Sequence, residues 1–485
     1  MKKRVKYSVM TEAETSLFAD RMEQLLSERG VWMDHEKMKE ELAAAGCIVE
    51  GDRVLFPREV IKKAVASVPA EFTLYAPDEA NNMVFPHPEG SFYTRTCTGA
   101  PFYQPAEGEK RLATLDDCSE YFALANQLSN ISYVALPSAC DPSVPENSID
   151  VHTLERALTT SKKHIWIQPY EADNVKYLIE MCQAAAGGAE ALREKPMVSF
   201  ISCSVPVLQY KYMDAEIIYQ CAKAGIPVQP CSLPTAGANA PGSAQGVALV
   251  ACAEVLAQIV MLELLCPGLP VIAATLLFSL DMVTTQTLQS NTEITYGRLI
   301  CMQVFEQYYN IRCHSYGTGS DSNKFDGQNM IERTSLIQAM ALSDASVLGG
   351  AGQFDTAKTI SPLQLIIDNE IFETAKRLRR GLIVDDDTMN FQELLSGNDA
   401  GGYLRSKHTR KFCRTMHRNP LFVAGDGDGP EEAGMDLMDR TLLKFREYKE
   451  KEILCNISPE KAAQLHEIVQ RATKALAGQT EQSDS

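Results

Sequence analysis

From about Phe92 onward the chain alternates between two hydrophobic periods. Short β-branched and aromatic runs stand at Phe92–Cys97, Ser132–Pro137, His164–Gln168, Met197–Cys203, Ile226–Cys231, Val271–Thr275, Ile311–Tyr316 and Ala345–Leu348. Between and after them apolar residues recur with a helical period, over about Leu115–Leu128, Ile149–Thr159, Asn174–Ala185, Asp214–Lys223, Ala244–Leu265, Glu293–Tyr309, Asn329–Leu342 and Leu363–Arg380. Strand-then-helix alternation predicts parallel strands joined by right-handed crossovers. Eight such units is the number that closes a TIM (β/α)8 barrel, an α/β fold. An open doubly wound sheet is the alternative, because periodicity does not report closure.

The flanks follow other patterns. From Thr11 to about Lys63 the apolar positions Leu17, Met22, Leu25 and Leu26, then Met38, Leu42 and Ala45 before Gly46, have helical spacing. A strand-like CIVEGDRVLF intervenes, and Pro57 opens a helix to about Ser67. Residues 1–85 are therefore expected as a helical accessory region, 86–382 as the barrel and 383–485 as a C-terminal extension. The extension begins with the acidic DDDTMNFQELLSG, continues through the basic SKHTRKFCRTMHR and ends in a charged helix. Its last ten or so residues are expected to be disordered.

Composition narrows the setting. With 485 residues, 45% hydrophobic and 22% charged, the chain can bury a large core. A formal net charge of −17 argues against nucleic acid, which requires a clustered basic surface, and against an anionic membrane surface. Ala244–Cys266 is long and apolar enough to resemble a membrane span, but Glu254, Gln258 and Glu263 interrupt it, which predicts a buried core helix. The fourteen cysteines are scattered singly, many inside apolar runs, as free thiols in a reducing cytosol would be. MKKRVKYSVMTEAE has no apolar stretch of the signal-peptide kind, so a cytoplasmic location is expected.

A barrel puts its active site on the loops at the C-terminal ends of the strands. Strand one is followed by TCTGAPFYQ, with Phe102 and Tyr103; strand three by Gln168 and Tyr170; strand five by Ser232; strand six by Phe278 and Asp281. The seventh stretch, Asn310–Asp326, combines a strand end, reactive side chains and a glycine-containing loop, and supplies His314, Tyr316, Asp321 and Phe325. Strand eight ends in GGAGQFD, with Gln353 and Phe354. Aromatic residues dominate this rim, and no acid–base pair, nucleophile or metal set stands out. That composition suits a ligand held by ring faces, as a quaternary ammonium is, because it has no N–H to donate.

Other chemistries lack their signatures. There is no GxSxG, GxxxxGK[ST] or post-strand GxGxxG, so Gly317 and Gly319 read as hinges. Cys313 and His314 point to opposite faces of a strand, and no paired-ligand spacing completes a zinc site, so no tightly bound metal is expected. Lys324 reads as a solvated loop lysine. AGDGDGPEE, around Asp426 and Asp428, has only part of a calcium-loop pattern.

Several long strings carry a family resemblance: Gly30–Ala76, TGAPFYQ (Thr98–Gln104) followed by RLATLDD (Arg111–Asp117), Pro234–Val260, and GGAGQFD (Gly349–Asp355). In these strings, and in their order, the chain resembles the trimethylamine methyltransferase superfamily of corrinoid-dependent enzymes over nearly its whole length. Founding members carry pyrrolysine near strand seven, whereas this chain has only standard residues there, as the non-pyrrolysine branch does. The resemblance implies a TIM barrel that demethylates a betaine such as glycine betaine, proline betaine, carnitine or γ-butyrobetaine. It also implies a cobalamin-type corrinoid carried by a separate cognate protein, and a homo-oligomer. Within it Phe102, Tyr103, Tyr316 and Phe354 are the cage candidates, followed by Phe278 and Tyr93. His314, Arg312, Arg95 and Gln353 are candidates for the substrate carboxylate, His314 foremost because Arg312 lies deeper in its strand. A zinc-dependent methyltransferase of the methanol type and a non-catalytic betaine-binding protein are the alternatives.

Overall fold

The computed structural model describes residues 7–397, 402–423, 434–451 and 457–483. AGDGDGPEE lies outside the described residues. Eight parallel strands close a barrel in chain order: β1 (Tyr93–Thr96), β2 (Tyr133–Ala135), β3 (His164–Ile167), β4 (Val198–Ser204), β5 (Val228–Ser232), β6 (Ala273–Thr275), β7 (Cys313–Tyr316) and β8 (Val347–Ala351). β8 pairs with β1, Val347 opposite Tyr93, so the sheet has no edge. Each strand lies within its expected run or extends it by a few residues, and the closed barrel replaces the open-sheet alternative.

The helical periods fold as α1 (Leu115–Gln127), α2 (Ile149–Thr160), α3 (Val175–Ala186), α4 (Tyr212–Ala224), α5 (Ala244–Leu265), α6 (Thr292–Met302), α7 (Gly327–Leu342) and α8 (Pro362–Arg380). Local chemistry fixes several starts. Thr114 and Asp117 form a reciprocal capping box at α1, Ser243 caps α5, and Asp326 accepts the Asn329 N–H at α7. α6 stops earlier than its pattern suggested, because Gln303–Tyr308 widens into a π-helical turn. α5 is long and apolar enough to cross a membrane by composition, yet it is mostly buried within the protein. Its polar residues find partners: Glu254 accepts from the Ser204 and Ser232 hydroxyls at 2.6 Å, and Gln258 Nε2 donates to the Cys231 carbonyl at 2.8 Å, although Gln258 Oε1 and Glu263 Oε1 have none.

The N-terminal region is mixed rather than helical. Val31–Met33 pairs with Arg53–Leu55 and, in parallel, with Gln209–Tyr210 just beyond β4, while the helix Arg58–Ser67 packs on α5. In the extension, Leu437–Lys449 packs on α1 and α8, and Pro459–Ser483 on α2 and α3. That final helix takes in most of the tail expected to be disordered; Asp484 and Ser485 lie outside the described residues.

Candidate active site

Strand alternation sends every second side chain into the lumen. From β1, β3 and β7 this brings Arg95, Trp166 and His314 together, all fully buried. The Arg95 guanidinium carbon lies 4.0 Å from the Trp166 ring centroid. Its Nε donates to His314 Nε2 at 3.2 Å and its Nη1 to the Thr96 carbonyl at 2.7 Å. Trp166 meets His314 edge-on at 5.4 Å. Burial, and then the Arg95 charge, hold the His314 imidazole well below its ordinary range, so it is neutral. Gly349 on β8 makes room for this layer: a Cβ there would sit 2.5 Å from His314 Nε2 and 2.7 Å from Arg95 Nη2.

Towards the mouth, Tyr316 ends β7 and Phe278 begins a short strand beyond β6. Their rings meet edge-to-face at 5.7 Å, Tyr316 buried and Phe278 half-buried. Arg298 of α6 approaches Tyr316 with its guanidinium carbon 5.5 Å from the ring centroid and donates to the Leu277 carbonyl at 2.6 Å. Burial lowers its pKa to about 10, and its Nε and Nη1 have no partner. Gln353 bridges the loops: its Nε2 donates to the Thr318 carbonyl at 2.9 Å, and its Oε1 accepts from the Cys97 thiol at 3.1 Å. The Thr98 hydroxyl donates to Gln168 Oε1 at 3.0 Å. Asp321 turns its charge onto loop groups, accepting from the Gln289 and Ser290 N–H groups at 2.8 and 3.1 Å and from the Thr356 hydroxyl at 3.1 Å.

Four short strands form a sheet at the rim, in the order Gln353–Phe354, Thr359–Ile360, Phe102–Tyr103, Arg111–Leu112. It joins the loops after β8 and β1. A buried ion pair anchors it from behind: Arg333 Nη1 meets Asp368 at 2.6 Å, and Arg333 Nη2 donates to the Gln353 carbonyl at 2.7 Å. The Gly352 N–H donates to the same carboxylate at 2.7 Å. Gly352 has φ +81°, and a Cβ there would fall 2.0 Å from the Tyr121 hydroxyl, so no other residue fits.

The lumen and mouth thus bring together Arg95, His314, Tyr316, Phe278 and Gln353. Other sequence candidates go elsewhere. Phe354 packs on Phe325 at 5.1 Å, because in a two-residue strand it takes the face opposite Gln353. The Tyr103 hydroxyl donates to Glu120 of α1 at 2.8 Å, and half-buried Phe102 has the Lys110 ammonium 5.2 Å from its ring centroid. Arg312 lies at the opposite end of the barrel, paired with Glu306 at 3.3 Å. Tyr93 is also at that end, its hydroxyl donating to the Val84 carbonyl at 2.9 Å. Ser232 serves Glu254, Tyr170 is half-buried with its N–H on Asp150, and Asp281 accepts hydrogen bonds within its own turn. Sequence reasoning missed Trp166, Arg298 and Gln289. The spacing of His164 and Trp166, two apart on one strand, was a usable signal for the first. Among the described residues no group of three or more His, Cys, Asp or Glu side chains is arranged to hold a metal ion.

The family model of trimethylamine methyltransferase (MTTB) matches residues 1–475. The chain belongs to this family. It is 26% identical over 467 residues to trimethylamine methyltransferase MttB of Methanosarcina barkeri (strain Fusaro / DSM 804), covering 94% of this chain and 93% of that one. It is 28% identical over 407 residues to glycine betaine methyltransferase of Desulfitobacterium hafniense (strain Y51), covering 84% of each. Among solved structures, the hydroxylamine MtmB complex aligns over 95% of this chain and 92% of that one, at 11% identity and a TM-score of 0.44.

Proposed function

We propose that this methyltransferase removes a methyl group from a quaternary amine of the betaine type and passes it to a corrinoid held by a separate protein. The observation that carries the reading is the edge-to-face pair of Phe278 and Tyr316 at the mouth end of the lumen. The similarity to a glycine betaine methyltransferase supports the betaine class.

The chemistry suits these side chains. When bound, the partner's corrinoid supplies a strongly nucleophilic Co(I), so the barrel itself needs no nucleophile. Its own task is to hold one N-methyl group towards the mouth, in line with the attack. Positive charge leaves the nitrogen as the bond breaks, and a carboxylate against the cation would stabilise the substrate more than the transition state. Aromatic faces attract the cation by roughly 0.5–2 kcal/mol each, a weaker hold that is easier to surrender. Asp321, a carboxylate of the mouth, fits this division because its oxygens are engaged by loop donors. The reading includes a cytoplasmic location and a homo-oligomer. The thirteen described cysteines, all free thiols, agree with a reducing compartment.

The test is methyl transfer to a reduced corrinoid, followed by absorbance, with glycine betaine, proline betaine, carnitine, γ-butyrobetaine and trimethylamine as donors. Transfer from at least one betaine is expected. Transfer from trimethylamine alone, or from none of the five, would overturn the reading.

A further inference from the structure

We infer that Arg95, His314 and Trp166 form a carboxylate seat, so that the substrate lies with its anionic end deep in the lumen and its quaternary nitrogen nearer the mouth. This rests on the quaternary-amine reading and adds the anchoring residues, the orientation and a class of amine that is rejected.

The inference follows from donors without acceptors. Arg95 Nη2, Trp166 Nε1 and His314 Nδ1 are buried and have no hydrogen-bond partner. The first two can only donate. The third is fixed by its neighbour. The guanidinium keeps its protons, so at 3.2 Å Arg95 Nε must be the donor and His314 Nε2 the lone-pair nitrogen. A neutral ring then carries its single proton on Nδ1. Three side chains in mutual contact therefore present three unmet N–H donors.

Charge points the same way. Among the described residues no carboxylate pairs with Arg95; the groups that favour its charge are Tyr133, Tyr316, Cys97 and Cys231. The Tyr133 hydroxyl, which donates to Gln229 at 3.3 Å, also interacts with Arg95 but brings no negative charge to match it. The chain's other treatment of buried arginine is to pair it, as in Arg333–Asp368 and Arg312–Glu306. An unpaired buried cation is costly, and a bound anion would offset that cost. A hydroxyl would satisfy a donor and leave the charge, and a second ammonium would be repelled. A carboxylate brings two acceptor oxygens and the missing charge together. Arg298 is the rival seat, but it already senses the charge of Asp321.

Calorimetric binding to the full-length protein separates the cases. Glycine betaine, carnitine and γ-butyrobetaine are compared with choline and tetramethylammonium, which carry the cation without the anion. The wild type should bind at least one betaine about tenfold or more tighter than choline, as a charge-assisted contact allows. Trp166→Phe, which removes one N–H and keeps a ring, should lose several-fold for betaines and nothing for choline. Arg95→Met should abolish the preference, with a thermal melt confirming the fold, and Arg298→Met should retain it. If Arg95→Met fails to fold, Trp166→Phe decides. Equal affinity of the wild type for choline and every betaine would overturn the seat while leaving the quaternary-amine reading intact. A preference that survives both lumen variants, or that disappears with Arg298→Met, would also overturn it. Binding of no quaternary amine at all would overturn both.

Discussion

The two ends of the barrel bury charge and treat it in opposite ways. At the N-terminal end Arg312 meets Glu306, whose carboxylate also accepts the Cys313 and Ser346 N–H groups at 2.6 and 3.1 Å. The Lys163 ammonium donates to the carbonyls of Ala125, Leu128 and Ile131, and burial still brings its pKa down to about 7. His164 is held between the Tyr75 carbonyl at 2.7 Å and the Ser199 hydroxyl at 2.9 Å. In the lumen and towards the mouth, Arg95 and Arg298 keep N–H groups without partners. The first pattern belongs to a scaffold: Arg312 Nε has no partner, but its charge is met by Glu306 within the chain. The second belongs to a binding surface whose complement comes from outside.

That contrast can be broken by mutation. The largest expected effect is at the scaffold end: Glu306→Ala strands the Arg312 charge and two N–H groups, and should lower stability by about 3–5 kcal/mol in urea unfolding. Betaine affinity of the folded fraction should stay unchanged; a parallel loss of affinity would show that the two ends are coupled. Next is acid sensitivity. Burial lowers the His164 pKa to about 4, against 6.5 in the unfolded chain. Below pH 6.5 the unfolded state takes up a proton that the folded state refuses, so this contribution is present above pH 6.5 and lost as pH falls towards 4. It amounts to about 3 kcal/mol. His164→Gln should flatten the acid limb of a pH–stability curve, and an unchanged limb would assign it to other groups.

Smaller effects sharpen the mouth. Tyr316→Ala should weaken every quaternary amine by about 1–2 kcal/mol, with or without a carboxylate, because it removes a ring and no anion contact. A loss confined to betaines would place Tyr316 at the wrong end of the ligand. At the scaffold end, Tyr93→Phe removes the hydroxyl bond to Val84, costing about 1 kcal/mol of stability and no affinity in the same assay. Least of all in stability is Arg95→Met, expected near zero or slightly stabilising, since removing a costly unpaired charge offsets the lost bonds to His314 and Thr96. A melting temperature that drops by many degrees would make Arg95 a structural residue.

The barrel was legible because each of its strands is a short run bounded by a change of period. The site was legible only where strand register continues into it. Tyr316 lies two residues after His314 on β7 and shares its face, so both candidates reached the lumen. Phe102, Tyr103 and Phe354 sit in two-residue strands beyond the barrel, where no period tells which face a side chain takes. Trp166 was obscured because β3, His164–Ile167, is buried on both faces and reads as one apolar run. The N-terminal strands were obscured by brevity, three residues each, and gain their pairing partly from Gln209–Tyr210, far along the chain.

The rim sheet has a consequence for the order of folding. Thr359 pairs with Phe102, and Gln353 hangs from that seam over the lumen, so the first and last loops of the barrel assemble the mouth together. Such a pairing closes a very long loop, an entropy cost that local contacts cannot offset early. During synthesis the lumen donors would be laid down strand by strand, while the mouth waits for residues beyond β8. A ligand would then capture only the completed chain, and its stabilising effect would appear as slower unfolding rather than faster folding.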